Sequence, residues 1–124
     1  MLKANEAKGR RRFVRTLCHK DPQATINIST EGGLVKGKLL DISSAGVACH
    51  FDEENMFQKN SYLKSVQLQL RANRVILSAL VMGTREDNQQ VHVLLFDPKS
   101  VKPEEKEKLF RYIRSNLQRY MDSY

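Results

Sequence analysis

Two short groups of residues in this chain carry side chains suited to binding a phosphate-containing ligand. The first is Arg11-x-x-x-Arg15, in a basic segment near the N-terminus. A guanidinium group can bind two phosphate oxygens at once, so a pair of arginines can hold a phosphate firmly. The same spacing is also common in basic segments that are simply solvated. By itself, this pair does not distinguish a binding site from an exposed arm.

The second group, Asp41-x-Ser43-x-x-Gly46, lies where a predicted strand ends. It is typical of a tight turn, because Asp and Ser hydrogen-bond the local backbone and Gly accepts a positive φ. Each group alone is weak evidence for a ligand site. Their conjunction is more specific, since they occur in this order with strand-like sequence between them.

The charge distribution places most of the basic surplus at the N-terminus. The chain has 124 residues and a net charge of +7, which favours an anionic partner such as a nucleotide, a nucleic acid or a lipid headgroup. Residues 1–9 lack a periodic apolar pattern and are predicted to form a flexible arm. Within the first twelve residues only Glu6 opposes the cations Lys3, Lys8, Arg10, Arg11 and Arg12.

The elements that must position these groups are mainly β-strands. Apolar and polar residues alternate over short segments separated by turn residues, which predicts a six-stranded antiparallel β-barrel. The residues from 52 to 61 read as a polar loop, with a single helical turn at 54–57. The predicted strands are Ala24–Ser29, Leu34–Ile42, Val47–Phe51, Leu63–Leu70, Val75–Met82 and Val91–Phe96.

The C-terminal segment changes to helical periodicity. Pro103 followed by two glutamates is a typical helix start, and it predicts a C-terminal α-helix over about 103–121. Its apolar stripe fits either a lid docked on the barrel or a dimerisation face, so a monomer and a homodimer both remain open. The predicted stripe is Leu109, Phe110, Ile113, Leu117, Tyr120 and Met121.

Taken together, the two motifs resemble those of the PilZ family, a group of bacterial receptors for cyclic di-GMP. The sequence is also similar downstream, where Gly46-Val47 enters a strand and Phe96-Asp97 ends the last strand before the helix. The resemblance covers about residues 10–115. It implies a single PilZ-like barrel domain over residues 10–124. This domain includes the C-terminal helix and follows an arm at 1–9.

The resemblance implies a cyclic di-GMP site with named roles. Arg11 and Arg15 would bind the ligand's two phosphodiester groups and its guanine edges. Asp41 would accept from guanine N1–H and N2–H₂, which adenine does not offer on one edge. Ser43 would add a hydroxyl contact, and Gly46 would permit a close backbone approach.

Neighbouring residues refine this expectation. Arg10, just before the pair, is associated in the family with binding a stacked pair of ligands, so one or two cyclic di-GMP molecules per domain are expected. Arg12 is expected to point to solvent. Val14 stands where the family often has proline, which leaves the stiffness of the arm open.

Other function classes find less support in the sequence. The three histidines are dispersed, and neither a nucleophile pattern nor a Gly-rich phosphate loop is present, so we expect no enzyme activity, no cofactor and no metal. Cys18-His19 and Cys49-His50 lack zinc-finger or zinc-ribbon spacing. Without an export signal or an apolar span, we expect a cytoplasmic protein with reduced thiols and no membrane insertion.

We therefore expect a cyclic di-GMP receptor whose N-terminal arm changes conformation on ligand binding and signals to an unidentified effector protein in trans. Two alternatives stay open. One is a PilZ-fold adaptor that works through protein contacts without responding to cyclic di-GMP. The other is a basic barrel that binds nucleic acid, for which the charge would track phosphates; we do not expect it.

Overall fold

The described part of the chain folds into a β-barrel with one long helix packed against it. The structure is a computed structural model that describes residues 16–18 and 21–122, with the side chains of 118–122 left aside. The predicted arm at 1–9 lies outside the described residues. The elements are β1 (Thr16–Leu17), β2 (Ala24–Thr30), β3 (Gly33–Ile42), β4 (Gly46–His50), β5 (Tyr62–Leu70), β6 (Asn73–Thr84), β7 (Val91–Phe96), a 3₁₀ turn (Pro98–Ser100) and α1 (Pro103–Asp122).

Six of these strands form a closed antiparallel barrel, as the sequence predicts. The hydrogen-bonded order runs β3, β2, β5, β6, β7, β4, and β4 pairs back with β3 to complete the ring. Closure leaves none of the six as an exposed sheet edge. The two-residue β1 was not predicted; it pairs with β3 beyond the end of β2, through Thr16↔Ile42 and Leu17↔Asp41.

The core lies inside the barrel and under the helix. Alternation places every second strand residue inward, as in β2, where Ala24, Ile26 and Ile28 are fully buried. Ile26 pairs with Leu68 of β5, so the inward rows of neighbouring strands meet and exclude water. Helix α1 packs against β6 and β1 and buries Leu109 over this core.

Two local predictions were wrong. Residues 54–57 form turns and bends rather than a helical turn, and Asn55 adopts a positive φ of 51° that a helix does not use. On α1, Phe110 was predicted to face the core but is 37% exposed, whereas Tyr112 is buried. The helix is therefore docked with Leu109, Tyr112 and Ile113 inward.

No helix within residues 16–18 and 21–122 combines the length and the apolar character needed to cross a lipid bilayer.

Candidate functional site

The turn from Asp41 to Gly46 joins β3 to β4 and is held by its own hydrogen bonds. The Ser43 amide donates to the Gly46 carbonyl at 2.9 Å. Ser43 Oγ accepts from the amides of Ala45 and Gly46 at 3.1 and 3.2 Å. The hydroxyl predicted to contact the ligand thus also closes the turn. The result is a firmly held corner at one end of the barrel.

Gly46 is needed for close packing rather than for a positive φ, which the structure does not give it. A Cβ at this position would lie 2.2 Å from the carbonyl oxygen of Leu94. No side chain fits at that distance, so only glycine lets β4 lie against β7 here. The expectation of a positive φ at this glycine was therefore wrong, whereas its expected close approach to the ligand stays a prediction.

Asp41 lies on the outer wall of the barrel but is largely covered. Its neighbour Ile42 points into the core, so alternation directs Asp41 outward. Its side chain is only 12% exposed, and Oδ2 lies 3.4 Å from Nη2 of Arg85, which is 41% exposed. A carboxylate with so little contact with water needs a cationic or hydrogen-bonding partner. Asp41 therefore offers a charged acceptor beside the turn.

Strand β1 brings the N-terminal segment to the same place. Leu17 lies opposite Asp41 in the β1–β3 pairing, and the Cys18 amide donates to the Leu40 carbonyl at 2.7 Å. The turn is thus adjacent to the strand that continues from the N-terminal segment. The predicted ligand residues Arg10, Arg11 and Arg15 lie outside the described residues, as do Arg12 and Val14.

A polar network fastens α1 to the barrel close to β1. Asp21 Oδ2 accepts from Tyr112 Oη at 3.0 Å and pairs with Arg71 Nε at 3.2 Å. Arg71 also donates to Asn116 Oδ1 at 2.6 Å, and its guanidinium lies 5.1 Å from the centre of the Tyr112 ring. Asn116 Nδ2 donates to the Leu17 carbonyl at 3.4 Å. The helix therefore contacts the strand that leads into the N-terminal segment.

Both cysteines are buried, form no disulfide and are held as thiols. Burial raises the pKa of Cys49, and the negative charge of Asp41 raises it further. Burial also raises the pKa of Cys18 to about 11, with a hydrogen bond to Tyr112 acting in the opposite direction. Among the residues described, no group of three or more Cys, His, Asp or Glu could hold a metal ion. Chemistry that needs a thiolate at neutral pH is disfavoured at both positions.

A largely apolar groove of about 370 Å³ borders the turn on its other side, between the end of β7 and α1. Ala45 of the turn forms part of its wall, and Leu95 and Phe110 are its exposed apolar side chains. Such a lining suits apolar groups rather than phosphates. The turn therefore separates the charged face around Asp41 from an apolar one.

Three features of this region were not found from the sequence. Arg85 lies 44 positions from Asp41 and carries no local signal of its role. Strand β1 is too short to show a period, and Asn116 contacts Leu17 across 99 positions. All three depend on tertiary folding and not on local pattern.

The fold and the covered acidic turn define a small closed antiparallel barrel with an outer-wall site at one corner. The family model described as PilZ domain matches residues 9–115. The chain belongs to the PilZ domain family. No curated protein is similar enough in sequence to count as a match.

Solved structures support the same fold. The PilZ domain of YcgR from Escherichia coli, solved with c-di-GMP, has a TM-score of 0.73 at 15% identity, covering 92% of this chain and 96% of that one. The K. pneumonia MrkH–c-di-GMP complex has a TM-score of 0.74 at 14% identity, covering 92% and 55%. The Bacillus subtilis inhibitor of motility, MotI/DgrA, has 0.69 at 18%, covering 93% and 53%. This chain thus spans about half the length of the MrkH and MotI chains.

Proposed function

We propose that this chain is a receptor for cyclic di-GMP, with the ligand bound between the N-terminal segment and the Asp41–Gly46 turn. The observation that carries the proposal is the pairing of Leu17 with Asp41. Because of this pairing, the chain that continues from the arginine-containing segment lies directly beside the carboxylate of Asp41. Family membership and the YcgR and MrkH structures with c-di-GMP support the choice of ligand.

Covalent geometry limits how far the motif arginines can be from the turn. Successive Cα atoms are about 3.8 Å apart, so Arg15 starts within one such step of Thr16, which pairs with Ile42. Arg11 is five residues from Thr16, at most about 18 Å in a fully extended chain. An arginine side chain extends several ångströms further, so both guanidinium groups can reach a ligand held at the turn.

The chemistry of the ligand matches these residues. Cyclic di-GMP carries two phosphodiester anions, which the guanidinium groups of Arg11 and Arg15 would bind in bidentate fashion, with Arg10 available for a second ligand molecule. Asp41 would accept from the N1–H and N2–H₂ of one guanine. Ser43 and Gly46 would shape the turn against which that base lies. The Ser43 hydroxyl donates within the turn only through a long 3.4 Å bond to the Gly46 carbonyl, and it would exchange that bond for a contact with the ligand.

Output would pass to an effector protein in trans. Residues 16–18 and 21–122 form one barrel and one helix, so a signal from this part of the chain must leave through its surface. Ligand binding would fix the N-terminal segment over the barrel and so change the surface beside β1. We propose binding without catalysis, since the thiols are held protonated and the Ser43 hydroxyl is bonded within its turn.

Calorimetric titration of the full chain with cyclic di-GMP tests the proposal. We expect an affinity of about 1 μM or tighter, weakened about ten- to one-hundred-fold in Asp41→Asn, Arg11→Ala and Arg15→Ala. Arg111→Ala removes an exposed helical cation that pairs with Glu107 and serves as the charge-matched control. Cyclic di-AMP should bind poorly, because adenine lacks the paired donors that Asp41 requires.

The same titration separates the two alternatives. Wild-type protein that releases no heat with cyclic di-GMP, and shows no change in its ¹H–¹⁵N spectrum, would contradict the receptor function and leave the protein-interaction adaptor. Tight binding of DNA or RNA that weakens steeply with salt, together with no response to the dinucleotide, would identify a nucleic-acid-binding barrel instead.

A further inference from the structure

Arg85 reaches the outer wall because of an irregularity in β6. In the β6–β7 pairing Val81 lies opposite Leu94, but the next pair is Gly83 with Val93, so Met82 is an extra residue. Gly83 has a φ of +142°, which glycine accepts readily. Such a bulge re-aims the side chains that follow it.

The bulge reverses the alternation of the strand. Before it, odd-numbered residues such as Ala79 and Val81 point into the core. After it, Thr84 pairs with the buried His92, and the next residue, Arg85, takes the outer face. Without the extra residue, the side chain of Arg85 would point into the core like those of the other odd-numbered residues. Burying an unpaired guanidinium there would cost much stability. The bulge therefore presents a cation on the wall that carries Asp41.

The backbone of Arg85 is held by hydrogen bonds on both sides, whereas its side chain makes one long contact. Its amide donates to the Val91 carbonyl at 3.0 Å, and its carbonyl accepts from the Asn88 amide at 3.3 Å. The guanidinium contacts Asp41 through one nitrogen and one oxygen at 3.4 Å. Of its five N–H donors, the others have no acceptor among the described residues. This single, long contact leaves most of the guanidinium available.

We propose that Arg85 is a further guanidinium of the cyclic di-GMP site, and that ligand binding exchanges the partners of the Asp41–Arg85 pair. The inference rests on the proposed function above. Without ligand, Arg85 neutralises the covered carboxylate of Asp41. With ligand, guanine donors replace it on Asp41, and Arg85 turns to a phosphodiester oxygen. Both charges then have a partner in each state, so neither is left buried and unpaired.

This exchange predicts opposite effects on two ligands. Removing Arg85 takes a cation from the charged dinucleotide, so its affinity should fall. Guanosine carries no phosphate and gains nothing from Arg85, yet must compete with it for Asp41. Its affinity should therefore be unchanged or higher in the same variant. A purely structural role for Arg85 would weaken both ligands together.

The test compares Arg85→Ala, Arg85→Lys and Arg111→Ala with the wild-type chain, using cyclic di-GMP by calorimetry and guanosine by ¹H–¹⁵N shift titration. We expect Arg85→Ala to weaken cyclic di-GMP about tenfold, with a shallower dependence on salt. Guanosine shifts should persist, and Arg85→Lys should recover part of the dinucleotide affinity because it keeps the charge without the fork. Arg111→Ala should match the wild type.

The two proposals fail in distinguishable ways. If wild-type protein does not bind cyclic di-GMP, the receptor function is wrong. If wild-type protein binds and Arg85→Ala binds with the same affinity and salt dependence, the receptor function stands and the role of Arg85 is wrong. Loss of both ligands in Arg85→Ala, with the fold intact by thermal unfolding, would also overturn the partner exchange; Arg85→Gln provides a second variant if Arg85→Ala unfolds.

Discussion

Asn116 of helix α1 donates from Nδ2 to the main-chain oxygen of Leu17 in β1 at 3.4 Å, while its Oδ1 accepts from Arg71 at 2.6 Å. One side chain thus joins the helix, the β5–β6 turn and the strand that leads into the N-terminal segment. Asn116 is only 9% exposed, so water cannot readily replace these partners.

Asn116→Ala is expected to lower the free energy of unfolding by about 1–2 kcal/mol, because it leaves the Leu17 carbonyl and an Arg71 donor without their partner. Urea unfolding of the full chain measures this. The neighbouring Ser115→Ala is the control, since Ser115 accepts from Arg71 only at an exposed position and at 3.3 Å; it should cost less than about 0.5 kcal/mol. If both variants lowered the free energy of unfolding equally, the Asn116 contacts with Leu17 and Arg71 would not have the proposed stabilising role.

Gly46→Ala is expected to destabilise the barrel by about 3 kcal/mol, since the added methyl would lie 2.2 Å from the Leu94 carbonyl oxygen and β4 must move away from β7. Gly32→Ala is a matched control, because the nearest atom to its added methyl is Thr30 Oγ1 at 3.9 Å. It should change stability by no more than about 0.5 kcal/mol. Gly46→Ala with wild-type stability would show that β4 can shift without cost.

Most of the barrel is predictable from the sequence because strand alternation is a local signal. The pattern of β2 repeats every two residues, and it survives in the structure as buried Ala24, Ile26 and Ile28. Strand β1 has two residues and cannot show a period. Its assignment depends on pairing with Ile42 and Asp41, which a local pattern does not contain.

The helix shows where hydrophobicity misleads. Phe110 is more apolar than Tyr112, so the stripe predicted Phe110 inward. Tyr112 is buried instead because Asp21 accepts from its hydroxyl, which removes the cost of covering a polar group. The partner lies 91 positions away. The surroundings of Asp41 follow the same rule: the turn from Asp41 to Gly46 was predicted from local residue types, whereas the contact of Asp41 with Arg85 depends on a bulge in another strand.

The thiols of Cys18 and Cys49 are expected to be unreactive in the native state. With a pKa of about 11, only about one Cys18 in a thousand is a thiolate at pH 8, and burial raises the pKa of Cys49 as well. Neither thiol should react with Ellman's reagent at pH 8 until denaturant unfolds the chain, when both should react. Rapid reaction of one equivalent in the native protein, located with Cys18→Ser and Cys49→Ser, would contradict this.

His92 is expected to make stability depend on pH. It is fully buried, and its ring packs edge-on against those of Phe51 and Phe57. Its Nε2 accepts from the Phe57 amide at 3.2 Å, which leaves Nδ1 to donate to the Gln90 carbonyl. Burial lowers its pKa from the usual 6.5. Protonation would remove the acceptor at Nε2 and place a charge in the core.

The direction in which stability changes with pH follows from whether the folded or the unfolded chain binds the proton more readily. Below pH 6.5 the unfolded chain protonates this histidine while the folded chain resists, so stability is full above pH 6.5 and falls as the pH drops toward the lowered pKa. The slope from this one group is at most about 1.4 kcal/mol per pH unit. Urea unfolding between pH 7.5 and 5.5 should show the decline in the wild-type chain and in His50→Gln. In His92→Gln the overall stability should be lower and the decline smaller. An unchanged slope in His92→Gln would assign the pH dependence to other groups.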